Sequence, residues 1–520
     1  MAITQGIKRA LQQYPGGCAS ICGSRSLSWQ QLARRAAQLA GGLQSLGIEA
    51  GDRVAVLALN SDRYLEAYAG VAWAGAVIVP LNTRWSPAEN IYAINDSGAA
   101  VLLVDDTFAA VADSIRTEIG SVRAVVHMGD APTPAHMSGY ERLIDTAAPV
   151  ADAGRSGEDL AGIFYTGGTT GVPKGVMLSH RSLWSSAAAG ISLLPRNGAG
   201  SIYLHAAPMF HMADFGFTMV AFLAGVQSVI IPSFTAAGVL AAIEEQRVTI
   251  MLLVPTMIHM LVTHPMLPQT DLSSLQRVIY GASPMPEEGL RQAMRALPHC
   301  EFLQAYGQTE LSPIATALLP EYHTFGGPKA GRLSSAGRAV ACCEVEVVDA
   351  SGREVQRGTV GEIRVRGYNT MLGYWNKPEE TAATLRDGWV YTGDAGRMDE
   401  EGFLYVVDRI KDMIISGGEN VYTAEVENAC AKHPAVAQCA VIGIPDDTWG
   451  EAVHAIVIIK DGHRLAAEEL IAHCHGLIAG YKCPHSVEIR SQPLPLSGVG
   501  KILKRELRAP HWQGRRRQVN

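Results

Sequence analysis

The sequence has no excess of positive charge, and this absence bears on its partners. Lys and Arg number 43 against 50 Asp and Glu, which gives a net charge of -7. A protein whose main partner is nucleic acid usually presents a basic face, so that class of function is disfavoured. The one basic run, 515–517, lies in a polar tail that is typical of a solvated chain end, with weak contact to anionic lipid as the alternative.

The sequence also lacks an uninterrupted apolar run long enough to cross a bilayer. Its longest apolar stretch, 215–231, is broken by Thr218, Gly225 and Gln227, and it predicts a buried helix followed by a strand. The opening stretch, 1–17, predicts a short amphipathic helix rather than a signal peptide.

Paired cysteines at metal-binding spacing are absent as well. The chain has nine cysteines, and no Cys or His pair at zinc-ligand spacing accompanies Cys18 and Cys22. The run His473-Cys474-His475 would point in different directions on a helix and is interpreted as incidental. Free thiols in a large protein fit a reducing compartment, so a cytoplasmic location is expected.

What the chain does contain is a long alternation of helix and strand signals. At 520 residues it needs two or more domains. Ser28 and Gln31 form a capping box before one helix, and Ser61 and Ser86 begin two more. Apolar runs such as "DRVAVLAL", "AVIVPL", "IMLLVP" and "RVIYG" separate the helices. The order predicts an α/β fold, with a large N-terminal domain of mostly parallel sheets.

The pattern changes after residue 336. Alternation of period two over 343–367 predicts a small antiparallel, barrel-like β unit. Beyond a boundary near 409–412 the chain returns to short α and β pieces, including a helix over 466–479. We therefore expect an N-terminal domain over 1–409 and a smaller, mobile α+β domain over 410–520.

A glycine-rich stretch, "YTGGTTGVPKG" at 165–175, lies between two apolar strands. The usual nucleotide P-loop joins a strand to a helix, and its spacing fails here because Pro173 and Gly175 replace the required Gly and Ser or Thr. Two interpretations stay open on these residues alone. One is a plain glycine-rich hairpin, and the other is a lid whose N–H groups, hydroxyls and Lys174 contact phosphate.

Six further motifs follow in order along the chain. They are "APMFHMADFG" (207–216), "YGASPMP" (280–286), "QAYGQTE" (304–310), "GWVYTGD" (388–394), "DRIKDMIISGGENVY" (408–422) and "PLSGVGKILKRELR" (495–508). Each has an ordinary structural explanation when taken alone: His211 as a packed core residue, Glu310 as a first-turn acid, Asp394 as a turn residue. Their order and spacing together resemble the adenylate-forming superfamily, which includes acyl-CoA synthetases, aryl-CoA ligases, luciferases and nonribosomal adenylation domains.

The resemblance extends from Ser28 to Lys501 and implies a two-step reaction. A carboxylate first attacks the α-phosphorus of ATP, and coenzyme A then displaces AMP from the acyl-adenylate. ATP, Mg²⁺ and coenzyme A are the implied cofactors and co-substrates, and a small carboxylic acid is the implied partner. A homodimer is also favoured by the resemblance.

The resemblance also implies roles for individual residues. Catalytic roles fall to Lys501, His211 and Glu310, with Glu310 as the Mg²⁺ anchor. The nucleotide site is expected from Thr166, Gly167, Gly168, Thr169, Thr170, Gly171, Lys174, Gly281, Ala282, Ser283, Tyr306, Gly307, Gln308, Thr309, Asp394 and Arg409. Lys411 is the implied hinge. The coenzyme A passage is expected from Gly417, Gly418, Tyr481 and Lys482. The acyl pocket is expected from Met209, Met212, Ala213, Phe215 and Ile314.

Two positions depart from the family pattern. Gly167 stands where relatives commonly carry Ser, which removes one phosphate-binding hydroxyl. Amino-acid-activating relatives place an acid just after the position of His211, whereas here Met212 follows and Asp214 comes later. An amino-acid substrate is therefore disfavoured.

The apolar pocket predicts an acid with an apolar body. Adaptable methionine walls favour a fatty acid, with an aryl or phenylpropenoate acid as the alternative. A second alternative is transfer of the acyl group to a carrier protein, although the run 337–367 has no evident room for the insertion found in such ligases. A kinase or ATPase would release ADP instead of AMP, and a nucleotide sensor would show no turnover.

Overall fold

The computed structural model describes residues 1–166, 173–198, 200–283, 285–498 and 500–513. The α-helices of these residues are α1 (Gln5–Gln13), α2 (Trp29–Ser45), α3 (Asp62–Trp73), α4 (Pro87–Ser97), α5 (Ala109–Ile115), α6 (Tyr140–Thr146), α7 (His180–Ile191), α8 (Met212–Ala224), α9 (Ala236–Gln246), α10 (Pro255–Val262), α11 (Glu287–Ala296), α12 (Pro378–Thr384), α13 (Thr423–Ala431), α14 (Ala467–His475) and α15 (Lys504–Arg508).

The strands are β1 (Cys18–Cys22), β2 (Arg25–Ser28), β3 (Arg53–Leu57), β4 (Val77–Pro80), β5 (Val101–Val104), β6 (Ala124–His127), β7 (Ser138–Gly139), β8 (Leu160–Thr166), β9 (Lys174–Ser179), β10 (Ile202–His205), β11 (Gln227–Ile230), β12 (Ile250–Leu253), β13 (Arg277–Gly281), β14 (Glu301–Tyr306), β15 (Thr316–Leu318), β16 (Arg338–Ala339), β17 (Cys343–Val348), β18 (Gly361–Gly367), β19 (Gly373–Tyr374), β20 (Leu385–Arg386), β21 (Trp389–Met398), β22 (Leu404–Arg409), β23 (Ile414–Ser416), β24 (Glu419–Val421), β25 (Val436–Asp446), β26 (Gly450–Ile459) and β27 (Ser486–Arg490).

Local sequence signals account for several of these boundaries. Ser28 accepts a hydrogen bond from the Gln31 N–H, and the Gln31 side chain accepts one from the Ser28 N–H, so the predicted capping box begins α2. Ser86 and Glu89 do the same for α4. The helix predicted over 466–479 ends earlier, at His475, because Gly476 caps α14 and the chain then leaves the helix.

Two wide sheets form the large N-terminal part, as the alternation predicted. One has the strand order β16-β15-β14-β13-β12-β10-β11-β1-β2, and the other has the order β19-β9-β8-β4-β3-β5-β6-β7. Their central pairs are parallel. The pairs β1–β2, β14–β15, β15–β16, β8–β9 and β9–β19 are antiparallel, whereas the edge pair β6–β7 is parallel. The largest hydrophobic cluster contains residues of both sheets and of α2, α3, α7 and α8, so these helices join the two sheets.

Two smaller sheets follow. Strands β17, β18, β20, β21 and β22 form the predicted antiparallel unit, and β23 to β27 form the sheet of the C-terminal part. Strand β22 ends at Arg409, and the residues 410–412 form a turn before β23. The predicted domain boundary falls on this turn, and the division at 409 stays a prediction. Among the described helices, none combines the length and apolar character needed to cross a bilayer.

Candidate active site

The carboxyl ends of neighbouring parallel strands form the floor of the site. Strands β12, β13 and β14 are parallel, so Thr256, the segment 281–283 and the segment 307–310 all follow strands that end at one edge of the sheet. This edge is where open α/β sheets bind ligands. Two glycines are required there. A Cβ on Gly281 would lie 2.1 Å from the Ala305 carbonyl oxygen, and one on Gly307 would lie 1.9 Å from that of Pro313.

Three residues predicted for the nucleotide site, Tyr306, Asp394 and Arg409, form a hydrogen-bonded group. The hydroxyl of Tyr306 donates to one oxygen of Asp394 at 2.7 Å, and the guanidinium of Arg409 lies 2.7 Å from the other. Asp394 and Arg409 are directly opposite each other on β21 and β22. The Asp394 carboxylate is buried, and each oxygen keeps a further lone pair that could accept from a sugar hydroxyl.

A second group surrounds the predicted magnesium anchor. Glu310 is buried, and one of its oxygens accepts a hydrogen bond from the Tyr374 hydroxyl at 2.8 Å. The ammonium of Lys174 lies 5.2 Å from the centre of the Tyr374 ring. Tyr374 therefore links the predicted phosphate-binding cation to the predicted metal-binding carboxylate.

The donor set at Glu310 fits Mg²⁺. Among the described residues no Lys or Arg forms an ion pair with this buried carboxylate within 4.0 Å, so its charge lacks a direct protein counter-ion. Magnesium takes oxygen ligands, typically one or two carboxylates together with phosphate oxygens. Glu310 offers a carboxylate oxygen beyond the one that Tyr374 contacts, with the Thr309 hydroxyl beside it in the sequence.

The glycine-rich stretch joins two antiparallel strands, as the sequence predicted. Thr166 at the end of β8 pairs with Lys174 at the start of β9. The Tyr165 hydroxyl donates to Asp96 at 2.6 Å and anchors the base of this hairpin on α4. The predicted phosphate-binding residues Gly167, Gly168, Thr169, Thr170 and Gly171 lie outside the described residues.

On the predicted acyl side, His211 caps α8 through its Nδ1, which accepts from the Ala213 N–H at 3.2 Å. Burial, together with the positive charge of Lys501, lowers the pKa of His211 to about 3. Its imidazole is therefore neutral in the physiological pH range. Asp214 is fully buried and accepts from Tyr203 at 2.8 Å, with His205 Nδ1 2.7 Å from its other oxygen. It is not available to bind a substrate amine.

The five residues expected in the acyl pocket differ in exposure. Met209, Met212 and Phe215 are buried at 0%, 2% and 1% exposure, and Phe215 packs with ring centres 4.6 Å from Tyr68 and 4.7 Å from Phe164. Ala213 and Ile314 are partly exposed. The methionines therefore belong to a packed wall in this arrangement, and only Ala213 and Ile314 present surface of their own.

Lys501 lies on a loop of the C-terminal part that reaches the N-terminal sheets. The loop is closed by hydrogen bonds from the Ser497 N–H to the Lys501 carbonyl at 2.7 Å and from the Gly500 N–H to the Ser497 carbonyl at 2.9 Å. Arg84, after β4, donates to the Ser497 carbonyl at 2.9 Å, and Thr256, in the first turn of α10, donates to the Gly500 carbonyl at 3.4 Å. A Cβ on Gly498 would lie 2.7 Å from the Asn82 side-chain oxygen, so glycine permits this close approach.

The docked loop brings Lys501 close enough to the residues predicted to bind the nucleotide for their charges to affect its pKa. Burial, together with the positive charge of Arg409, lowers the pKa of its ammonium to about 8, although the negative charges of Asp394 and Glu310 act in the opposite direction. A cation held next to another cation is unfavourable by itself. The arrangement is suited to an anionic ligand that lies between them.

The residues predicted for coenzyme A are placed elsewhere. Gly417 and Gly418 form the exposed turn between β23 and β24 with φ of 60° and 84°, and a Cβ on Gly417 would meet the Trp449 ring at 2.6 Å. Tyr481 is exposed, and the Lys482 ammonium lies 2.8 Å from Glu425. A phosphate of coenzyme A would have to compete with Glu425 for Lys482. Lys411, the predicted hinge, is exposed in the turn after β22.

Sequence reasoning missed Tyr374, Arg84 and Thr256. Tyr374 lies in "GYNTMLGYWN", where an aromatic pair between Gly373 and Asn376 was the available signal. Arg84 and Thr256 carry no local pattern that indicates contact with the C-terminal loop.

Comparison with known proteins agrees with this geometry. A family model described as "AMP-binding enzyme" matches residues 7–375, and a second, "AMP-binding enzyme C-terminal domain", matches residues 425–501. The chain therefore belongs to the AMP-binding enzymes, the adenylate-forming superfamily that its motifs resemble, and within it to the AMP-forming acyl-CoA synthetases.

Three relatives illustrate the range within the family. A feruloyl-CoA synthase from an Amycolatopsis species is 40% identical over 511 residues, which cover 96% of this chain and 97% of the relative. A fatty acid–[acyl-carrier-protein] ligase, ScoC, from Streptomyces coeruleorubidus is 35% identical over 98% of this chain and 96% of its own. The anthranilate CoA ligase AuaEII, whose crystal structure contains anthranoyl-AMP, is 26% identical in sequence. The structural match covers 98% of this chain and 97% of that chain, with a TM-score of 0.89.

Proposed function

We propose that the protein activates a carboxylic acid with an apolar body as its adenylate and transfers the acyl group to coenzyme A. The observation that carries this proposal is the position of Lys501. A loop of the C-terminal part docks on the loop after β4 and on the first turn of α10, and it holds this ammonium within electrostatic range of Asp394, Glu310 and Arg409.

In the first step, a carboxylate oxygen of the acid attacks the α-phosphorus of ATP. A P–O bond forms, and the bond to the β-phosphate bridging oxygen breaks, with pyrophosphate as the leaving group. Both reactants are anions, so the obstacle is mainly electrostatic, and catalysis depends on charge neutralisation and positioning. Lys501 supplies a cation where the two anions meet, and Lys174 faces the phosphate tail.

Three further groups hold the nucleotide in this proposal. Asp394, oriented by Tyr306 and Arg409, accepts hydrogen bonds from the ribose hydroxyls. Glu310, oriented by Tyr374, would hold Mg²⁺, which neutralises phosphate charge when bound. Neutral His211 borders the acid without adding a competing cation.

In the second step, the sulfur of coenzyme A attacks the acyl carbon, the thiol proton is lost, and AMP leaves. The thiol needs space near the position that Lys501 occupies in the docked arrangement. We propose that the C-terminal part rotates about the turn at Lys411 and presents Gly417 and Gly418 instead.

For the acid, we propose a compact aryl or phenylpropenoate type. The reason for favouring a fatty acid was the adaptability of the methionines, but Met209 and Met212 are packed in the core. The rigid ring cluster of Phe215 with Tyr68 and Phe164 supports a compact substrate, as does the similarity to a feruloyl-CoA synthase. A fatty acid is the second candidate, because ScoC, named as a fatty acid ligase, is 35% identical.

The test is a panel of acids, including ferulate, benzoate, octanoate and palmitate, with ATP, Mg²⁺ and coenzyme A. AMP release that depends on both the acid and coenzyme A supports the ligase. ADP release would identify a kinase or ATPase, and the absence of turnover with every acid would contradict the proposal. A higher kcat/KM for ferulate than for octanoate supports the aryl substrate, and the reverse order supports the fatty acid.

Two controls sharpen the panel. Replacing coenzyme A by a phosphopantetheine-bearing carrier protein tests transfer to a carrier. The variant Ala213→Leu should raise KM for the acid while leaving KM for ATP unchanged, because it adds bulk only on the acyl side. A homodimer and a cytoplasmic location stay predictions.

A further inference from the structure

Three side chains with metal-binding atoms converge on the C-terminal sheet, away from the site described above. They are His454 on β26, Glu488 on β27 and His511 in the short 3₁₀-helix Ala509–Trp512. One ligand atom from each lies within 4.8 Å of the others. Within the described residues, this is the only group of three or more His, Cys, Asp or Glu side chains that meets this distance.

The register of the two strands explains the convergence. His454 is paired with Ser486 in the parallel β26–β27 ladder, and Glu488 lies two residues further along β27. Side chains two residues apart on a strand share one face of the sheet, so His454, Ser486 and Glu488 all project from the same face. The 3₁₀-helix reaches this face, because the ring centre of His511 lies 5.2 Å from that of His454, and the Trp512 indole N–H donates to the Gly443 carbonyl of strand β25 at 3.0 Å.

His454 is oriented as a metal-binding histidine would be. Its Nδ1 is hydrogen-bonded to the Ser486 hydroxyl at 2.7 Å, while its Nε2 is buried and has no hydrogen-bond partner among the described residues. The side chain is only 9% exposed. If Nδ1 carries the proton and donates it to the Ser486 hydroxyl oxygen, the lone pair of the ring is on Nε2 and is available to a metal. Histidines that bind a metal through one ring nitrogen usually donate a hydrogen bond from the other.

The other two groups face this nitrogen. Glu488 places Oε2 3.9 Å from His454 Nε2, while its Oε1 lies 3.4 Å from the Arg490 guanidinium. The ring of His511 has its centre 5.2 Å from that of His454. One carboxylate oxygen is thus occupied by Arg490, and the other is directed at the two imidazoles.

We propose that His454, Glu488 and His511 bind one transition-metal ion of the Zn²⁺ type. Two imidazoles and one carboxylate form a ligand set that suits Zn²⁺ and does not suit Mg²⁺, which prefers oxygen ligands. Zinc–ligand bonds are about 2.0–2.2 Å long, so the three side chains must move together by small rotations. Water completes the coordination on the side where Glu488 is exposed.

The ion would join the end of the described chain to the sheet. The face that carries these ligands also packs against Leu494, Ile502 and Leu507, which flank the loop bearing Lys501. Metal binding would therefore hold the segment after Lys501 on the C-terminal sheet. The site is structural, because it is distinct from the residues proposed to contact ATP and the acid.

A second pair of histidines provides a matched control. The rings of His433 and His473 lie 5.0 Å apart, and His433 Nε2 is 3.5 Å from Glu469. His433 differs from His454 because its Nδ1 accepts a hydrogen bond from the Ala435 N–H, which leaves the proton on the Nε2 that faces Glu469.

The experiment uses the full chain without a histidine tag, stripped with a chelator and titrated with ZnCl₂ in the absence of ATP, acid and coenzyme A. We expect one equivalent of Zn²⁺ by calorimetry and by metal analysis, together with a rise in Tm on binding. His511→Ala and Glu488→Gln should each weaken binding by about tenfold or more. Both residues retain solvent exposure, so these variants should fold, and His473→Ala should bind as the unmodified chain does.

Unchanged affinity in His511→Ala, loss of binding in His473→Ala, or no bound Zn²⁺ would each overturn the proposal. Because the titration contains no substrate, its failure is separate from failure of the proposed ligase activity.

Discussion

The guanidinium of Arg84 donates a hydrogen bond to the carbonyl of Ser497 at 2.9 Å, across 413 positions of sequence. Arg84 follows strand β4 of the N-terminal part, and Ser497 begins the loop that carries Lys501. The contact therefore belongs to the arrangement in which Lys501 is delivered to the nucleotide residues, and it should be absent when the C-terminal part rotates away.

Arg84→Ala should slow adenylate formation and spare thioester formation. A hydrogen bond of this kind contributes about 0.5–1.5 kcal/mol, which corresponds to a loss of up to about tenfold in kcat/KM. Acid-dependent pyrophosphate exchange measures the first step, and thioester release from supplied acyl-AMP measures the second. The exposed Arg116→Ala is the matched control, and an equal loss in both steps would contradict the docking role.

The variant Lys501→Ala should lower the rate of adenylate formation more than Arg84→Ala does, in the same pair of assays. Loss of one preorganised group that stabilises transition-state charge costs about a hundred- to a thousandfold in rate. Adenylation should fall by this factor, while acyl-AMP is still converted to the thioester. Lys432→Ala, which removes an exposed lysine of the C-terminal part, should leave both steps unchanged. If Lys501→Ala disables both steps equally, the assignment is wrong.

The pKa of Lys501 predicts an alkaline limit to adenylation. In the free enzyme the Lys501 ammonium is mostly charged below about pH 8, so kcat/KM for the first step should decline as the pH rises through this value. Because the pKa of Lys501 in the folded chain lies below its ordinary value of 10.5, the folded chain binds fewer protons than the unfolded chain between these two pH values. The unfavourable contribution of this group to stability is thus fully present below about pH 8 and decreases as the pH rises.

The variant Lys501→Arg tests whether Lys501 causes this decline in kcat/KM at alkaline pH. Arginine stays protonated, so the residual activity of this variant should not decline above pH 8. His211, whose pKa is lowered to about 3, should add no inflection between pH 5 and 8. If the decline in kcat/KM above pH 8 persists unchanged in Lys501→Arg, the titration of another group causes it.

Tyr374→Phe should weaken the use of Mg²⁺ and ATP. The substitution removes the hydroxyl that donates to Glu310 but keeps the ring beneath Lys174. A hydrogen bond to a charged group contributes about 1.5–3 kcal/mol, so KM for Mg·ATP should rise about tenfold or more. KM for the acid should change little. Tyr368→Phe, at an exposed tyrosine, is the control, and an unchanged KM for Mg·ATP in Tyr374→Phe would remove Tyr374 from the site.

Lys411→Pro tests the proposed hinge. Proline restricts the backbone at the turn after β22, so rotation of the C-terminal part should be hindered. Pyrophosphate exchange should persist, because the docked arrangement is the one already formed, whereas thioester formation from acyl-AMP should stop. Retention of both steps would place the hinge elsewhere.

Local signals in the sequence determined the fold class and most of the element boundaries. The capping boxes at Ser28 and Ser86 and the apolar runs between helices depend on neighbours three or four residues away. The same applies to the hairpin around the glycine-rich stretch, whose strands were visible from composition. The order of the motifs was sufficient to recognise the family, because this order is a property of the sequence and does not depend on which residues meet in the fold.

Which side chains meet was decided by the tertiary structure. Tyr374 contacts Glu310 across 64 positions, and Arg84 contacts Ser497 across 413, so neither pairing leaves a local pattern. The same is true of the cluster of His454, Glu488 and His511, which depends on the parallel register of β26 and β27 and on where the last helix docks. Sequence periodicity specifies which face of an element is apolar, whereas strand order and docking depend on the packing of the whole chain.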